Sequence, residues 1–339
     1  YIHIPFCKQA CNYCDFHFST SLRQSEPLFN ALLKEVSLRK DYLTETVETI
    51  YFGGGTPSLP EPAWISQLIQ AFYEHFTIVN DAEITLEANP DDIDRRKITG
   101  WKAAGINRMS VGIQSFHPQL LSWMNRAHEA EQSLTAIKLL QDGGFDNISI
   151  DLIYGCPNQS DAEWNKDMDT ALSLGVQHLS CYALTSEPKT ALWHHIKKGT
   201  TPEINSDQQA NQFLQLMQQM EAAGYEQYEI SNFSLPNFRS RHNSAYWKGI
   251  PYLGIGPSAH SFNGITREWN INHNSRYIES ITAGILPATG EMLTETQQLN
   301  EYIMTALRTR EGISLAKVKE TWGAGVLEKL GPSIQRWTM

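Results

Sequence analysis

The sequence predicts an α/β fold with a parallel sheet made of six strand-and-helix units, and three observations carry that prediction. Short apolar strands alternate with amphipathic helices from residue 1 to about residue 223. Glycines and polar residues recur just past the strands, and the alternation stops near Phe233, where aromatic, Gly- and Pro-rich text begins. Alternation of this kind implies parallel strands joined by right-handed crossovers. Six units are fewer than the eight of a closed barrel, so an open three-quarter barrel and a doubly wound sheet are the two candidates.

Residues 1–4 (YIHI) alternate as a strand and Pro5 ends it. A helix over about 27–41 carries Leu28, Ala31, Leu32 and Leu38 on one apolar stripe, interrupted by Glu35. The stretch TVETIYFGGGTPS reads as a strand, a glycine loop and the approach to a helix over 60–74. Strands over 83–87, 108–112, 147–153 and 178–183 then alternate with helices over 92–104, 130–143, 161–174 and 207–223. The change of text near Phe233 divides the chain into an expected barrel, 1–232, and a smaller α-rich C-terminal domain, 233–339, with a helix over 295–308.

Composition narrows the class of protein. Apolar residues make up 41% of the 339 and charged residues 19%, which are globular values. A net charge of −10 lacks the clustered Lys and Arg of a nucleic-acid footprint, so no nucleic-acid partner is expected. No run approaches the roughly 18 apolar residues of a membrane helix, and no basic segment leads into an apolar stretch at the start. The expected location is the cytoplasm. Cys156 and Cys181 lie in apolar strand-like text and read as buried, inert thiols, in keeping with a reducing compartment.

The chemistry concentrates just past the first strand. Cys7, Cys11 and Cys14 have the spacing C-x3-C-x2-C, and three thiolates on one loop suit a soft metal centre better than a disulfide, which would leave one over. Two sets remain open on spacing: a structural zinc completed by His17, or a [4Fe–4S] cluster with one iron lacking a protein ligand. Gly53, Gly54, Gly55 and Thr56 follow the second strand, where glycines either let a polar ligand approach the backbone or simply make a tight turn. Glu87, Gln114, Asp151 and Ser180 sit at the ends of other strands, and Arg126 in MNRAH could neutralise a carboxylate. Their shared position at one end of successive strands points to a polar ligand at a barrel mouth.

The cysteine loop with Tyr13 before its last cysteine, GGGTP after the second strand, and six β/α units resemble the radical S-adenosylmethionine superfamily. More narrowly, YIHIPFC, YFGGGTPS, LEANP, GIQSF and DLIYG resemble the oxygen-independent coproporphyrinogen III oxidase family. The resemblance implies the open three-quarter, TIM-like (β/α)6 barrel and a [4Fe–4S] cluster on Cys7, Cys11 and Cys14, with S-adenosylmethionine (SAM) chelating the fourth iron. By family position Tyr1, Gly54 and Glu87 contact that SAM. Tyr13, Gly55, Thr56, Gln114, Arg126, Asp151 and Ala183 match positions that hold a second SAM in the oxidase.

Two departures point to the heme-chaperone (HemW) branch of the family. Phe16 stands where the oxidases have a further cysteine, and six residues precede Cys7 where they have a longer segment. The branch's HNxxYW motif is matched by His242, Asn243, Tyr246 and Trp247. Neutral imidazole is a normal heme ligand and aromatics pack on porphyrin faces, although such a cluster taken alone reads more readily as core. His260 is a further candidate. The resemblance therefore implies heme as cargo and heme-receiving respiratory proteins as clients. It leaves open a peripheral membrane contact through those clients, a homodimer, and the alternative of coproporphyrinogen III decarboxylation.

Overall fold

A ladder of eight strands runs β1-β2-β3-β4-β5-β6-β8-β7 without closing on itself, in a computed structural model that describes residues 1–337. Residues 338–339, the end of the expected C-terminal unit, lie outside the described residues. The strands are β1 (Ile2–Ile4), β2 (Val47–Gly54), β3 (Ile78–Ala88), β4 (Arg108–Gln114), β5 (Ile148–Tyr154), β6 (His178–Ala183), β7 (Glu226–Gln227) and β8 (Asn232–Ser234). The first six pair in parallel with their neighbours. Two short antiparallel strands, β8 and β7, follow on the far side of β6. This is the open (β/α)6 barrel rather than a doubly wound sheet.

Eight helices cover the outside: α1 (Ser25–Leu38), α2 (Pro62–His75), α3 (Arg95–Ala104), α4 (Pro118–Trp123), α5 (Ala130–Asp142), α6 (Asp161–Ser173), α7 (Ala191–Lys197) and α8 (Ser206–Ala222). Local chemistry fixes their starts. Asp94 accepts the Lys97 amide at the head of α3, and Ser160 with Glu163 closes a capping box on α6. β5 is buried along nearly its whole length and only Asp151 is partly accessible, as expected of a strand covered on both faces. Trp101 and Trp164 are fully buried between helices and sheet.

Beyond β8 come α9 (Arg241–Lys248), α10 (Asn274–Thr282), α11 (Glu295–Ala306), α12 (Leu315–Trp322) and α13 (Ala324–Trp337). They accompany a three-stranded antiparallel sheet of β9 (His260–Phe262), β10 (Thr266–Asn270) and β11 (Ala288–Met292). The region is rich in helix, as the sequence reading has it, but that reading lacks this sheet. Strands of three to five residues with at most one buried position each offer too few alternations to register. The short helices α4 and α7 escape periodicity for the same reason.

Glu35, the interruption in the apolar stripe of α1, is fully buried. Its carboxylate accepts from Arg39 Nε at 2.9 Å, Asn270 Nδ2 at 2.7 Å, the Gly256 amide at 2.8 Å and the Tyr277 hydroxyl. One acidic side chain thereby ties α1 to β10, α10 and the loop before β9. Cys156 and Cys181 are buried and unpaired, and burial raises both thiol pKa values.

Candidate functional site

The loop from Pro5 to Ser21 leaves the end of β1 and is held by the chain's own hydrogen bonds. Its two ends meet through Ser19 N–H to Pro5 O at 2.8 Å and Cys7 N–H to Ser19 O at 3.1 Å. Its middle is fastened by Asn12 N–H to Met124 O at 3.0 Å and Leu192 N–H to Asn12 O at 2.7 Å. Lys8 bridges Asp91 at 2.7 Å and Asp92 at 2.5 Å. Cys7, Cys11 and Cys14 are free and partly buried on this loop. Burial pushes the Cys7 thiol up and the Cys14 thiol to about 12, so a metal centre taking these sulfurs would release protons.

Two sulfurs already face donors. Thr56 Oγ1 donates to Cys7 Sγ at 3.5 Å, and Arg126 Nη1 donates to Cys11 Sγ at 3.3 Å. Donors aimed at sulfur suit the negative charge of a thiolate-bound cluster. Among the described residues no three His, Cys, Asp or Glu side chains converge closely enough to hold a single ion. His17 is engaged elsewhere, with Nε2 2.8 Å from Asn274 Oδ1. A Cys3His zinc site is therefore not formed, whereas a cubane spreads its thiolates over separate irons and needs no such convergence.

The glycine loop lies against β1 and the cysteine loop. Gly54 has φ +117°, and a Cβ there would fall 2.8 Å from the His3 ring. A Cβ on Gly55 would fall 2.8 Å from the backbone N and O of Phe6, and the Gly55 amide donates to Ile4 O at 2.9 Å. Close backbone approach within the protein is thus sufficient reason for these glycines. On the neighbouring strand Glu87 accepts from Tyr51 Oη at 2.8 Å. Tyr1 stacks on Tyr51, with ring centroids 6.1 Å apart, and its hydroxyl is 3.1 Å from His3 Nδ1.

Glu87 and Asp151 share a polar cavity of about 40 Å³ inside the barrel, also lined by Tyr51, Ser110, Ser180 and Tyr182. That is room for about three waters. Both carboxyls are held mainly by neutral hydroxyls, and neither forms a salt bridge among the described residues. Burial raises Glu87 to about 7, with Asp151 adding repulsion, and raises Asp151 to about 6. Arg108 lines the same cavity and, with Arg126, offsets part of the Asp151 shift, and carboxyls raised by burial in this way mark a candidate functional site.

Arg126 spans the mouth. Besides Cys11 it bonds Asn89 Oδ1 and Gly112 O through Nη2, each at 2.7 Å, while its buried Nε has no partner. Gln114, at φ +70°, ends β4 with its amide nitrogen beside Gly112. Tyr13 packs against an apolar group that includes Met124 and Leu184, and Ala183 is exposed at the end of β6. The structure thus brings Tyr1, Gly54, Glu87 and Asp151 to one side of the mouth, and Cys11, Tyr13 and Arg126 to another.

His242 sits behind Tyr51, not at the mouth. It is buried on α9, stacked on Tyr51 at 4.7 Å between centroids, with Nδ1 2.8 Å from Thr49 Oγ1 and Nε2 3.1 Å from Tyr246 Oη. Both ring nitrogens are therefore occupied. His260 is exposed, its ring 6.2 Å from that of Trp269. Sequence reasoning missed Thr49 and Tyr51. The signal available was strand alternation, which puts Thr49, Tyr51 and Gly53 on one face of β2.

An open parallel barrel with three free cysteines past its first strand defines the class, and the comparisons agree. Residues 1–171 match the Radical SAM superfamily. The heme chaperone HemW of Mycobacterium tuberculosis is 35% identical over 324 residues, covering 94% of this chain and 83% of that protein. The heme chaperone HemW of Bacillus subtilis is 36% identical over 342 residues, covering 98% and 89%. Among solved structures, coproporphyrinogen III oxidase (HemN) from Escherichia coli superposes with a TM-score of 0.84 at 24% identity, covering 99% of this chain and 82% of that one, and shows the shared fold. The chain belongs to the radical SAM superfamily and, within it, to the HemW family. Membership of the superfamily implies a [4Fe–4S] cluster and SAM.

Proposed function

We propose that this protein is a heme chaperone that carries a [4Fe–4S] cluster on Cys7, Cys11 and Cys14, binds SAM at the barrel mouth and passes heme to respiratory enzymes. The observation that carries the reading is a groove of about 930 Å³ alongside α9, lined by Phe72, Tyr246, Trp247, Tyr252, Lys248 and Lys317. Its volume is at the upper end of the range for small-molecule and cofactor sites. Its aromatics suit a flat macrocycle. Lys248 and Lys317 form no salt bridge among the described residues and suit carboxylate side arms. Relatives named heme chaperones along nearly the whole chain support the same reading.

When bound, the cluster supplies an open iron and one-electron chemistry. The chain's own residues do the holding. Tyr1, Gly54 and Glu87 are assigned to SAM on the cluster, and Tyr13, Gly55, Thr56, Gln114, Arg126, Asp151 and Ala183 to a second SAM. The unpartnered Arg126 Nε and the buried carboxyls of Glu87 and Asp151 support polar ligands there. The division into a barrel, 1–232, and a C-terminal unit, 233–339, belongs to the same proposal.

The test is anaerobic reconstitution with iron and sulfide, followed by heme titration and an assay of coproporphyrinogen III conversion. Expected are full iron and sulfide in the parent, Cys156→Ala and Cys181→Ala proteins, loss in Cys7→Ala, Cys11→Ala and Cys14→Ala, heme uptake with a shifted Soret band, and no conversion. Full cluster content in Cys7→Ala would remove the cluster assignment. Sustained conversion by the parent would replace the chaperone reading with the oxidase.

A further inference from the structure

Resting on the assignment of the cluster to Cys7, Cys11 and Cys14, we propose that Asn89 is a positioning residue for it. One carboxamide aims both of the donors that face the sulfurs, and through them it sets the reduction potential of the cluster. Asn89 lies in the segment LEANP, where the resemblance gives a role to Glu87 alone.

The direction of each bond follows from the groups themselves. A guanidinium only donates, so the Arg126 Nη2 contact at 2.7 Å identifies the Asn89 atom facing it as the carbonyl oxygen Oδ1. The amide nitrogen Nδ2 is thereby turned to Thr56 Oγ1, 3.3 Å away. That nitrogen also only donates, so Thr56 Oγ1 accepts from it and gives its own hydrogen to Cys7 Sγ at 3.5 Å. On the other side Arg126 Nη1 donates to Cys11 Sγ at 3.3 Å. With the carboxamide reversed, two donors would face each other at Arg126, and the Thr56 hydrogen would be drawn to the Asn89 oxygen and away from Cys7.

The carboxamide is anchored at its own base. The Asn89 backbone N–H donates to Ser58 Oγ at 3.2 Å, and its carbonyl accepts from the Asp92 amide at 3.0 Å. Ser58 Oγ donates to Asp92 Oδ2 at 2.8 Å, and Asp92 holds Lys8 of the cysteine loop at 2.5 Å. The end of β3, the glycine loop and the cysteine loop are thus joined around one residue. Arg126 is steadied further by Gly112 O, and its Nε is left for a ligand, so the sulfur contacts do not use the group that a ligand would take. Donors to cluster sulfurs favour the reduced, more negative state and raise its potential, and an outer partner that orients them tunes the metal indirectly.

The experiment reconstitutes the full chain anaerobically without SAM, measures iron and sulfide, and titrates the cluster reductively by electron paramagnetic resonance, with circular dichroism on each variant. Asn89→Leu keeps the size but neither donates nor accepts. It should load as the parent does and disfavour reduction by about tenfold, equivalent to about 59 mV for a one-electron couple. Thr56→Val should produce part of that shift, and Thr56→Ser should restore the parent potential. The double variant of Asn89→Leu with Thr56→Val should shift no further than Asn89→Leu alone, because Thr56 has already lost its direction. Asn89→Asp keeps the acceptor for Arg126 but draws the Thr56 hydrogen to itself, so it too should lower the potential, and it carries the test where Asn89→Leu fails to fold. A parent-like potential in Asn89→Leu or Asn89→Asp, or a double-variant shift equal to the sum of the single ones, overturns the proposal while the cluster assignment stands. A parent that assembles no cluster on these cysteines overturns both.

Discussion

Replacing Glu87 with glutamine should stabilise the protein above pH 7 and leave it unchanged near pH 4. The glutamine amide imitates the protonated carboxyl and can still accept the Tyr51 hydrogen bond, so what the substitution removes is the charge. Burial, with Asp151 across the same cavity, raises the Glu87 pKa from 4.5 to about 7. The folded protein then binds more protons than the unfolded chain between pH 4.5 and 7, and stability falls as pH rises through that window. Below it both states are protonated and the charge costs nothing. Above it the full cost applies, about 3 kcal/mol at 1.36 kcal/mol per pKa unit. With an unfolding entropy of about 2.1 cal/mol/K per residue, the Glu87→Gln melting temperature should exceed the parent's by about 4 °C at pH 8. Thermal melts of the cluster-free protein at pH 4, 6 and 8 measure this. A Glu87→Gln protein that melts at or below the parent at pH 8 would refute the idea that Glu87 ionises at a cost.

Two further substitutions test the packing that positions the site. Gly55→Ala drives a Cβ to 2.8 Å from the Phe6 backbone, where no flexible side chain can yield, and should cost about 1–3 kcal/mol in a urea melt. A cost below 0.5 kcal/mol, roughly, would mean the glycine serves the ligand and not the loop. Glu35→Ala takes one carboxylate from the buried Arg39, which keeps Glu268 and Asn270, and orphans the Gly256 amide and the Tyr277 hydroxyl. It should cost about 3–5 kcal/mol, read as a lowered melting temperature, and a neutral result would show that Glu268 and Asn270, which accept from Arg39 at 3.0 and 3.1 Å, suffice for it.

Much of the barrel is legible in the sequence, because strand alternation and helical periodicity are properties of consecutive residues. Strand β6 matches its expected range. Glu87 lies near the end of β3 as expected, whereas Asp151 lies in the middle of β5 and not at its end, and the two meet in one cavity because alternation points both inward. The cysteine spacing is equally local. The sheet of β9, β10 and β11 is not legible, since its strands are short and lightly buried.

The chain order alone thus determined the class of fold, the loop that bears the three thiols and the end of the sheet where polar groups collect. Tertiary structure alone decided who touches whom across long stretches of sequence. Arg126 reaches Cys11 over 115 positions, Glu35 meets Asn270 over 235, and Thr49 holds His242 over 193. No local period encodes those partnerships. They arise because a parallel barrel returns every strand to the same end, and because a buried polar group must find its hydrogen bond wherever the fold provides one.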